Sequence, residues 1–416
     1  MWLLSQGQFD LMKVGILIFP PYRESLGSFR RIHDLTKGLK RIGVDPIIIT
    51  PFGGTAQIHD VNVKKMPLLF PGLRVGEQFY KFLKDLINHR IFLGLFIRSL
   101  NRVKIGSAAV NYIRALDLDI LQIEEEPVAM MALPLVKELS IPLVFDLSGI
   151  WADELVDSGV ITTQNVEYRM IQEMTRSAVL QMDAVLVMSK EMKEYVAREY
   201  SAKPETIHIL EMGTRPKIQN IPKRDRPTKV IYAGQLSKAK HAELFLNSIP
   251  YIVERDPDTI FYITKKGDMV NQALKIGKEI GAKIETFWFD EEEHLFEFMS
   301  RCHVGVLTLP DNLSYRTNPA AKFYDYMSVG LPVVANDIGG WIKIVEEDSV
   351  GILTDDDPID FAKGVLRLAH EPDLALEYSK KCLETSKKKY SLEAAIAELP
   401  AFYRGLLKKG NCKPIT

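Results

Sequence analysis

Short apolar runs without polar alternation recur along the chain, separated by stretches whose apolar residues fall at helical spacing. In the first half the runs are Val14–Phe19, Pro46–Ile49, Ile120–Ile123, Leu143–Asp146, Ala184–Met188 and Ile207–Leu210. Strands of this kind are buried on both faces, the condition of a parallel sheet covered by helices. Ser28–Ile42 shows the complementary pattern, with Ile32, Leu35, Leu39 and Ile42 three and four residues apart. Pro127–Leu139 reads as another helix, opened by Pro127 and kinked or shortened at Pro134. Strand, helix and strand in succession imply parallel sheets with right-handed crossovers.

The alternation breaks at Thr214–Thr228, a basic stretch carrying Pro216, Pro222 and Pro227, and then restarts. The break reads as a linker. Beyond it the runs are Val230–Tyr232, Ile260–Thr264, Ile284–Phe287, Val304–Leu309, Pro332–Ala335 and Gly351–Leu353, with helices from about His241, Met269, Glu291, Pro319 and Pro358. The expected organisation is one Rossmann-like α/β domain over 12–213, a linker over 214–228 and a second such domain over 229–390. A final helical stretch over 391–416, with no strand after it, could pack back across the linker. Two doubly wound sheets bind ligands at the carboxyl ends of their strands, and a cleft between them would be the binding place.

Composition narrows the function classes. Lys plus Arg total 53 against 54 Asp plus Glu, a formal charge of −1, which argues against general attachment to nucleic acid. The three cysteines, Cys302, Cys382 and Cys412, are scattered, so neither a disulfide framework nor a zinc site is expected and a reducing, cytoplasmic compartment fits. Met1–Leu11 lacks the basic and apolar regions of a signal peptide, and Met12 is a candidate start just ahead of the first strand. No run reaches the ~18 apolar residues of a membrane span. Arg74–Lys104 differs from the rest. It sets seven Lys or Arg among Phe79, Phe82, Leu83, Leu86, Phe92 and Phe96 at roughly helical spacing, which fits either a peripheral membrane contact at the inner face of the cell membrane or a core-packed helix pair.

The segment Asn318–Ala335 carries the most chemistry. Asn318 suits an N-cap and Pro319 a first helical position, so a helix beginning there would aim free N–H groups and a positive dipole end out of the sheet. Lys322 lies one turn in, and Asp325 another turn on. A phosphate could rest on the helix start and Lys322 while the carboxylate accepts from a ribose diol. An ordinary capped helix with a solvated charge pair fits the same residues. The acidic runs Glu124–Glu126 and Asp355–Asp357 read as exposed turns and caps, and His241 as the start of a helix.

Asp325-Tyr-Met-Ser-Val-Gly-Leu-Pro-Val-Val-Ala335, followed by Asp337-Ile-Gly-Gly340 and Gly351-Ile-Leu353, resembles the carboxyl-half signature of retaining glycosyltransferases of the GT-B fold, family 4 in particular. Lys229-Val-Ile-Tyr-Ala-Gly-Gln-Leu-Ser-Lys-Ala-Lys240 is similar to that family's diphosphate-binding strand and turn, which places Gly234, Gln235 and Lys240 at the diphosphate. Gly27-Ser28 resembles the glycine turn facing the sugar phosphates, and Pro142–Glu154, with Trp151, the tryptophan stretch of members acting on lipid-linked or polysaccharide acceptors. Six positions depart from the pattern: Gln235 stands for Arg, Asp325 for Glu, Thr317 for the first Glu of the Glu-x7-Glu pair and Lys343 for a Glu after the Gly-Gly turn. Ser148 and Gly149 replace Arg-Asp.

The resemblance implies transfer of a sugar from a UDP- or GDP-sugar to a glycan or lipid-linked acceptor with retention, with no protein nucleophile and no cofactor or metal. Lys240, Lys322, the helix start at Asn318 and the Gly27-Ser28 turn are then the electrostatic candidates. Glu124 and Asp146, ending strands of the first domain, are candidates for an acceptor-side base, and each also fits a structural role. Trp151 either stacks on a sugar or fills a pocket, and the nucleobase is expected near Thr286–Asp290. Two other readings remain: a non-catalytic nucleotide-sugar-binding scaffold, and a nucleotide-sugar 2-epimerase of the same fold.

Overall fold

The computed structural model describes residues 11–18, 27–51, 57–58, 61–66, 107–211, 213, 221 and 225–410. The basic stretch Arg74–Lys104, most of Thr214–Thr228 and Cys412 therefore lie outside the described residues. The chain divides into two units. One comprises the chain up to Val187, Lys193–Leu210 and the segment from Ile396 on; the other comprises Met188–Met192 and Glu211–Ala395.

The first unit is built on β1 (Met12–Leu17), β2 (Val44–Thr50), β3 (Gln57–Ile58), β4 (Val61–Lys65), β5 (Ile120–Glu124), β6 (Leu143–Leu147), β7 (Ala184–Val187) and β8 (Ile207–Ile209). Their order in the sheet is β3-β4-β2-β1-β5-β6-β7-β8, parallel throughout except for the β3–β4 pair. The chain reverses direction across the sheet between β1 and β5, which pair in parallel. Each apolar run of the first half became a strand because its residues can be buried on both faces. Val14, Ile16, Ile120, Ile123, Val144 and Phe145 are fully buried, and each such side chain contributes about 1.5–3 kcal/mol relative to exposure. The β3–β4 pair was not expected; Val61-Asn-Val-Lys-Lys alternates apolar with polar residues and carries too few apolar residues to stand out. Pro134 does break the second helix, which runs Glu126–Ala132 and resumes over Leu135–Glu138.

The second unit holds β9 (Lys229–Tyr232), β10 (Ile260–Thr264), β11 (Lys283–Phe287), β12 (Val304–Leu307), β13 (Val333–Asn336) and β14 (Gly351–Thr354). All are parallel, in the order β11-β10-β9-β12-β13-β14, with the reversal between β9 and β12. One tyrosine pins that reversal. A Cβ on Gly305 of β12 would come within 2.9 Å of the Tyr326 ring, so only glycine admits the ring there. The Tyr326 hydroxyl accepts from the Ala233 N–H at 2.8 Å and donates to the Val306 carbonyl at 3.2 Å. Tyr326→Phe leaves both groups short of a partner and is expected to destabilise this unit by about 1–3 kcal/mol, read as a fall in its melting temperature; an unchanged melt would show that the hydroxyl pins nothing.

The last helical stretch appears as Leu392–Ile396 and Leu399–Gly410, divided just ahead of Pro400, which fits only the opening turn of a helix. The second of these packs in the first unit, where Phe402 meets the His208 ring at 4.2 Å. Among the described residues no helix is long and apolar enough to cross a membrane.

Candidate functional site

The carboxyl edge of the second sheet gathers most of the expected donor residues. Beyond β9 the chain turns at Gly234, whose carbonyl accepts from the Thr264 hydroxyl at 2.5 Å. Lys322 reaches this turn: its Nζ lies 4.2 Å from the Tyr232 ring centroid and would be 3.7 Å from a Cβ on Gly234. Lys240 ends a short 3-10 helix, Lys238–Lys240, held by the Thr308 hydroxyl donating to the Lys240 carbonyl at 3.1 Å. Its ammonium donates to the Tyr315 hydroxyl and lies 4.7 Å from that ring's centroid. Neither lysine has a carboxylate partner among the described residues. Gln235 is exposed, and Asp325 is half-buried one turn beyond Lys322.

Asn318 requires a correction. It is not an N-cap but the residue closing a short preceding helix, Leu313–Thr317, with its N–H donating to the Ser314 carbonyl at 2.9 Å. The residue before a proline is driven to extended backbone, and here Ala320 is extended as well, so the next helix begins at Ala321. Ala320 supplies no side-chain cap, which leaves the N–H groups beside Lys322 without one. Thr317 offers no side-chain group to a ligand, because its hydroxyl donates to the Leu313 carbonyl at 2.9 Å. The Gly339-Gly340 turn holds both glycines at φ near 70°, and a Cβ on Gly340 would strike the Arg316 carbonyl at 2.2 Å. Lys343, in the place of the family's Glu, is paired with Asp337. Partial burial acts upward on Asp337, but Lys343 and the Gly339 N–H hold its carboxyl below the usual range.

Near Thr286–Asp290, the stretch expected to meet the nucleobase, Trp288 is exposed with the Lys266 ammonium 3.8 Å from its ring centroid and its indole N–H on Asp290 at 3.1 Å. His241 sits in left-handed backbone, φ 56°, and pairs with Asp356 at 2.6 Å. Asp357 caps the helix Pro358–His370 as expected.

The carboxyl edge of the first sheet holds a buried charge cluster. Glu124 and Asp146 stand opposite one another on β5 and β6. Arg31, on the helix Gly27–Arg41, donates to Asp146 Oδ2 at 2.8 Å and lies 3.4 Å from Glu124 Oε2. The Gln122 amide donates to Glu124 Oε1 at 2.8 Å and to Asp146 Oδ2 at 2.9 Å. Burial first, and then Asp146, pushes the Glu124 carboxyl well above its ordinary range against the pull of Arg31. Asp146 Oδ1 and Arg31 Nη2 have no hydrogen-bond partner among the described residues. Gly27 and Ser28 open the helix that carries Arg31, while residues 19–26 lie outside the described residues.

The acidic run at 124–126 is thus not an exposed turn. Glu124 and Glu126 are buried, and Glu125 between them takes left-handed backbone at φ 67°. Glu126 Oε2 accepts the Trp151 N–H at 2.5 Å and Oε1 the Thr175 hydroxyl at 2.7 Å. Burial outweighs those bonds and raises the carboxyl to about 8. Trp151 is half-buried, packed against the cluster of Met130, Met131, Leu155 and Met174.

Arg31 and Gln122 were missed, and both left a signal. Arg31 is four residues before Leu35, on the apolar stripe of its helix, and Gln122 is the one polar residue of the run Ile120–Ile123.

Two doubly wound, mostly parallel sheets in successive units define the GT-B glycosyltransferase fold, and solved structures share it. A glycosyltransferase from Rickettsia africae superposes with a TM-score of 0.69 at 14% identity, over 96% of this chain and 100% of that one. Anabaena HepE in complex with UDP gives 0.68 at 13% identity, over 95% and 100%. Residues 27–217 match the model of Glycosyltransferase Family 4, and residues 227–371 that of Glycosyl transferases group 1. The chain belongs to the group 1, family 4 glycosyltransferases. An alpha-D-kanosaminyltransferase of Streptomyces kanamyceticus is 24% identical over 247 residues, which are 55% of this chain and 62% of that protein, less than two thirds of its length.

Proposed function

We propose that the chain transfers a sugar from a nucleoside diphosphate sugar, UDP- or GDP-linked, to a hydroxyl of a glycan or lipid-linked acceptor, with retention and without a metal. The observation that carries this reading is the pair Lys240 and Lys322 at the carboxyl edge of the second sheet, each leaning on a tyrosine ring with no carboxylate partner among the described residues. Ammonium groups in that state favour a dianionic leaving group, whose charge grows as the glycosidic bond lengthens. The uncapped helix start at Ala321 adds N–H donors beside Lys322. Asp325 takes the ribose, and Asp146 Oδ1, which has no hydrogen-bond partner among the described residues, serves the acceptor hydroxyl with Glu124 beside it.

A panel of UDP- and GDP-sugars tests the reading through release of the nucleoside diphosphate. Turnover of one donor, unchanged by EDTA, is expected; binding without turnover across acceptor extracts would instead make the chain a nucleotide-sugar-binding scaffold. For the basic stretch Arg74–Lys104 the proposal is contact with an anionic membrane surface. Anionic liposomes should then sediment the protein, and Arg98→Glu with Arg102→Glu should abolish it; sedimentation unaffected by the charge reversals would refute the contact.

A further inference from the structure

The carboxylates of the first unit are held from an unexpected quarter. Tyr403, on the final helix Leu399–Gly410, donates its hydroxyl to Gln122 Oε1 at 2.6 Å across 281 residues of sequence. Tyr403 is fully buried, and burial, then Asp146 and Glu124, push its phenol up, so that it stays a neutral donor. A phenol that donates must face the amide oxygen. The Gln122 nitrogen is thereby turned toward the sheet edge, where its two N–H groups find Glu124 and Asp146. The result is a chain of hydrogen bonds, Tyr403 to Gln122 to both carboxylates, closed from the other side by Arg31.

We propose that Tyr403 is a positioning residue for transfer: by fixing the Gln122 amide it holds Glu124 and Asp146 side by side at the carboxyl edge of the first sheet. This rests on the reading that those carboxylates serve the acceptor. Among the described residues the charged and titratable groups facing Glu124 are Asp146 from β6 and Arg31 from the first helix, with Tyr403 one bond further through Gln122. Each link polarises the next, so loss of the phenol weakens the N–H donors and favours the protonated pair. A mere structural hydrogen bond would be missed equally at every pH. A bond that acts on titrating carboxylates is missed more as pH rises, because proton binding then differs between the variant and the wild type.

The experiment compares melting temperatures of the full chain and Tyr403→Phe from about pH 5.5 to about pH 8. The deficit of the variant is expected to grow by about 2 °C over that range and to stop growing when both proteins carry Glu124→Gln. Leu406→Ala, which loosens the same helix without touching the hydrogen-bond chain, should give a deficit independent of pH. A pH-independent deficit for Tyr403→Phe overturns the proposal. Turnover separates the two levels. Glu124→Gln and Asp146→Asn should each lower nucleoside diphosphate release, and Tyr403→Phe should lower it with UDP or GDP affinity unchanged. Full turnover in both carboxylate variants rejects the acceptor-side reading and the positioning role with it. Impaired carboxylate variants beside a fully active Tyr403→Phe reject the positioning role alone.

Discussion

Replacing Arg31 by Met is expected to destabilise the first unit by about 3–5 kcal/mol, because the change leaves two carboxylates buried against one another with no cation between them. The Arg31 side chain is 13% exposed, that of Glu124 3% and that of Asp146 0%, so water cannot replace the lost partner. In the wild type, burial acts downward on the guanidinium and the two carboxylates outweigh it, so Arg31 stays charged throughout the accessible pH range. In the variant the pair can relieve its repulsion only by holding a proton. The loss should therefore be smaller in mild acid than above neutrality, where proton uptake is harder. Asp146→Asn added to Arg31→Met removes one of the facing charges and should recover part of the stability, a coupling that a double-mutant cycle reads directly. Equal, additive losses at all pH values would mean that the three groups do not interact as the distances imply.

Glu126 should give the molecule a stability that falls as pH rises. Its carboxyl is raised to about 8 in the folded chain, whereas in the unfolded chain it returns to the ordinary range near 4.5. Between those values the folded state holds a proton that the unfolded state has lost. Stability from this group is then complete below about pH 4.5, declines through the window and levels off above about pH 8. The steepest decline a single group can produce is about 1.4 kcal/mol per pH unit. Glu126→Gln keeps an oxygen for the Trp151 N–H and an amide for the Thr175 hydroxyl but has nothing to ionise. Thermal melts of the variant should be flatter between about pH 5 and about pH 8 and should exceed the wild type at the alkaline end, by several degrees for a unit of this size. Parallel curves for the two proteins would place the Glu126 proton elsewhere.

Much of this architecture is legible in the sequence because its signal is local. Runs such as Ile120–Ile123 and Leu143–Asp146 read as strands buried on both faces, and the helices between them point to parallel pairing. Lys322 is legible as a candidate from the helical pattern that carries it, and Lys240 from the resemblance of Lys229–Lys240 to the family's diphosphate-binding strand and turn. What escaped depended on partners distant in sequence or on backbone detail. Asn318 and Pro319 satisfied the rules for a helix start, yet extended backbone at both Asn318 and Ala320 moved the start to Ala321. Glu126 looked like part of a solvated acidic turn because its partners, the Trp151 N–H and the Thr175 hydroxyl, come from two later helices. Tyr403 had no signal at all, since nothing near it in sequence announces that Gln122 awaits a donor.

Calorimetric titration of UDP and GDP into the wild type and into Lys240→Ala with Lys322→Ala tests the donor site most directly. One nucleotide should bind the wild type, and loss of both charged hydrogen-bonding groups, each about 1.5–3 kcal/mol, should weaken it by at least about 100-fold. Binding of equal strength to both proteins would mean that the carboxyl edge of the second sheet, as read from Lys240 and Lys322, is not where the donor rests.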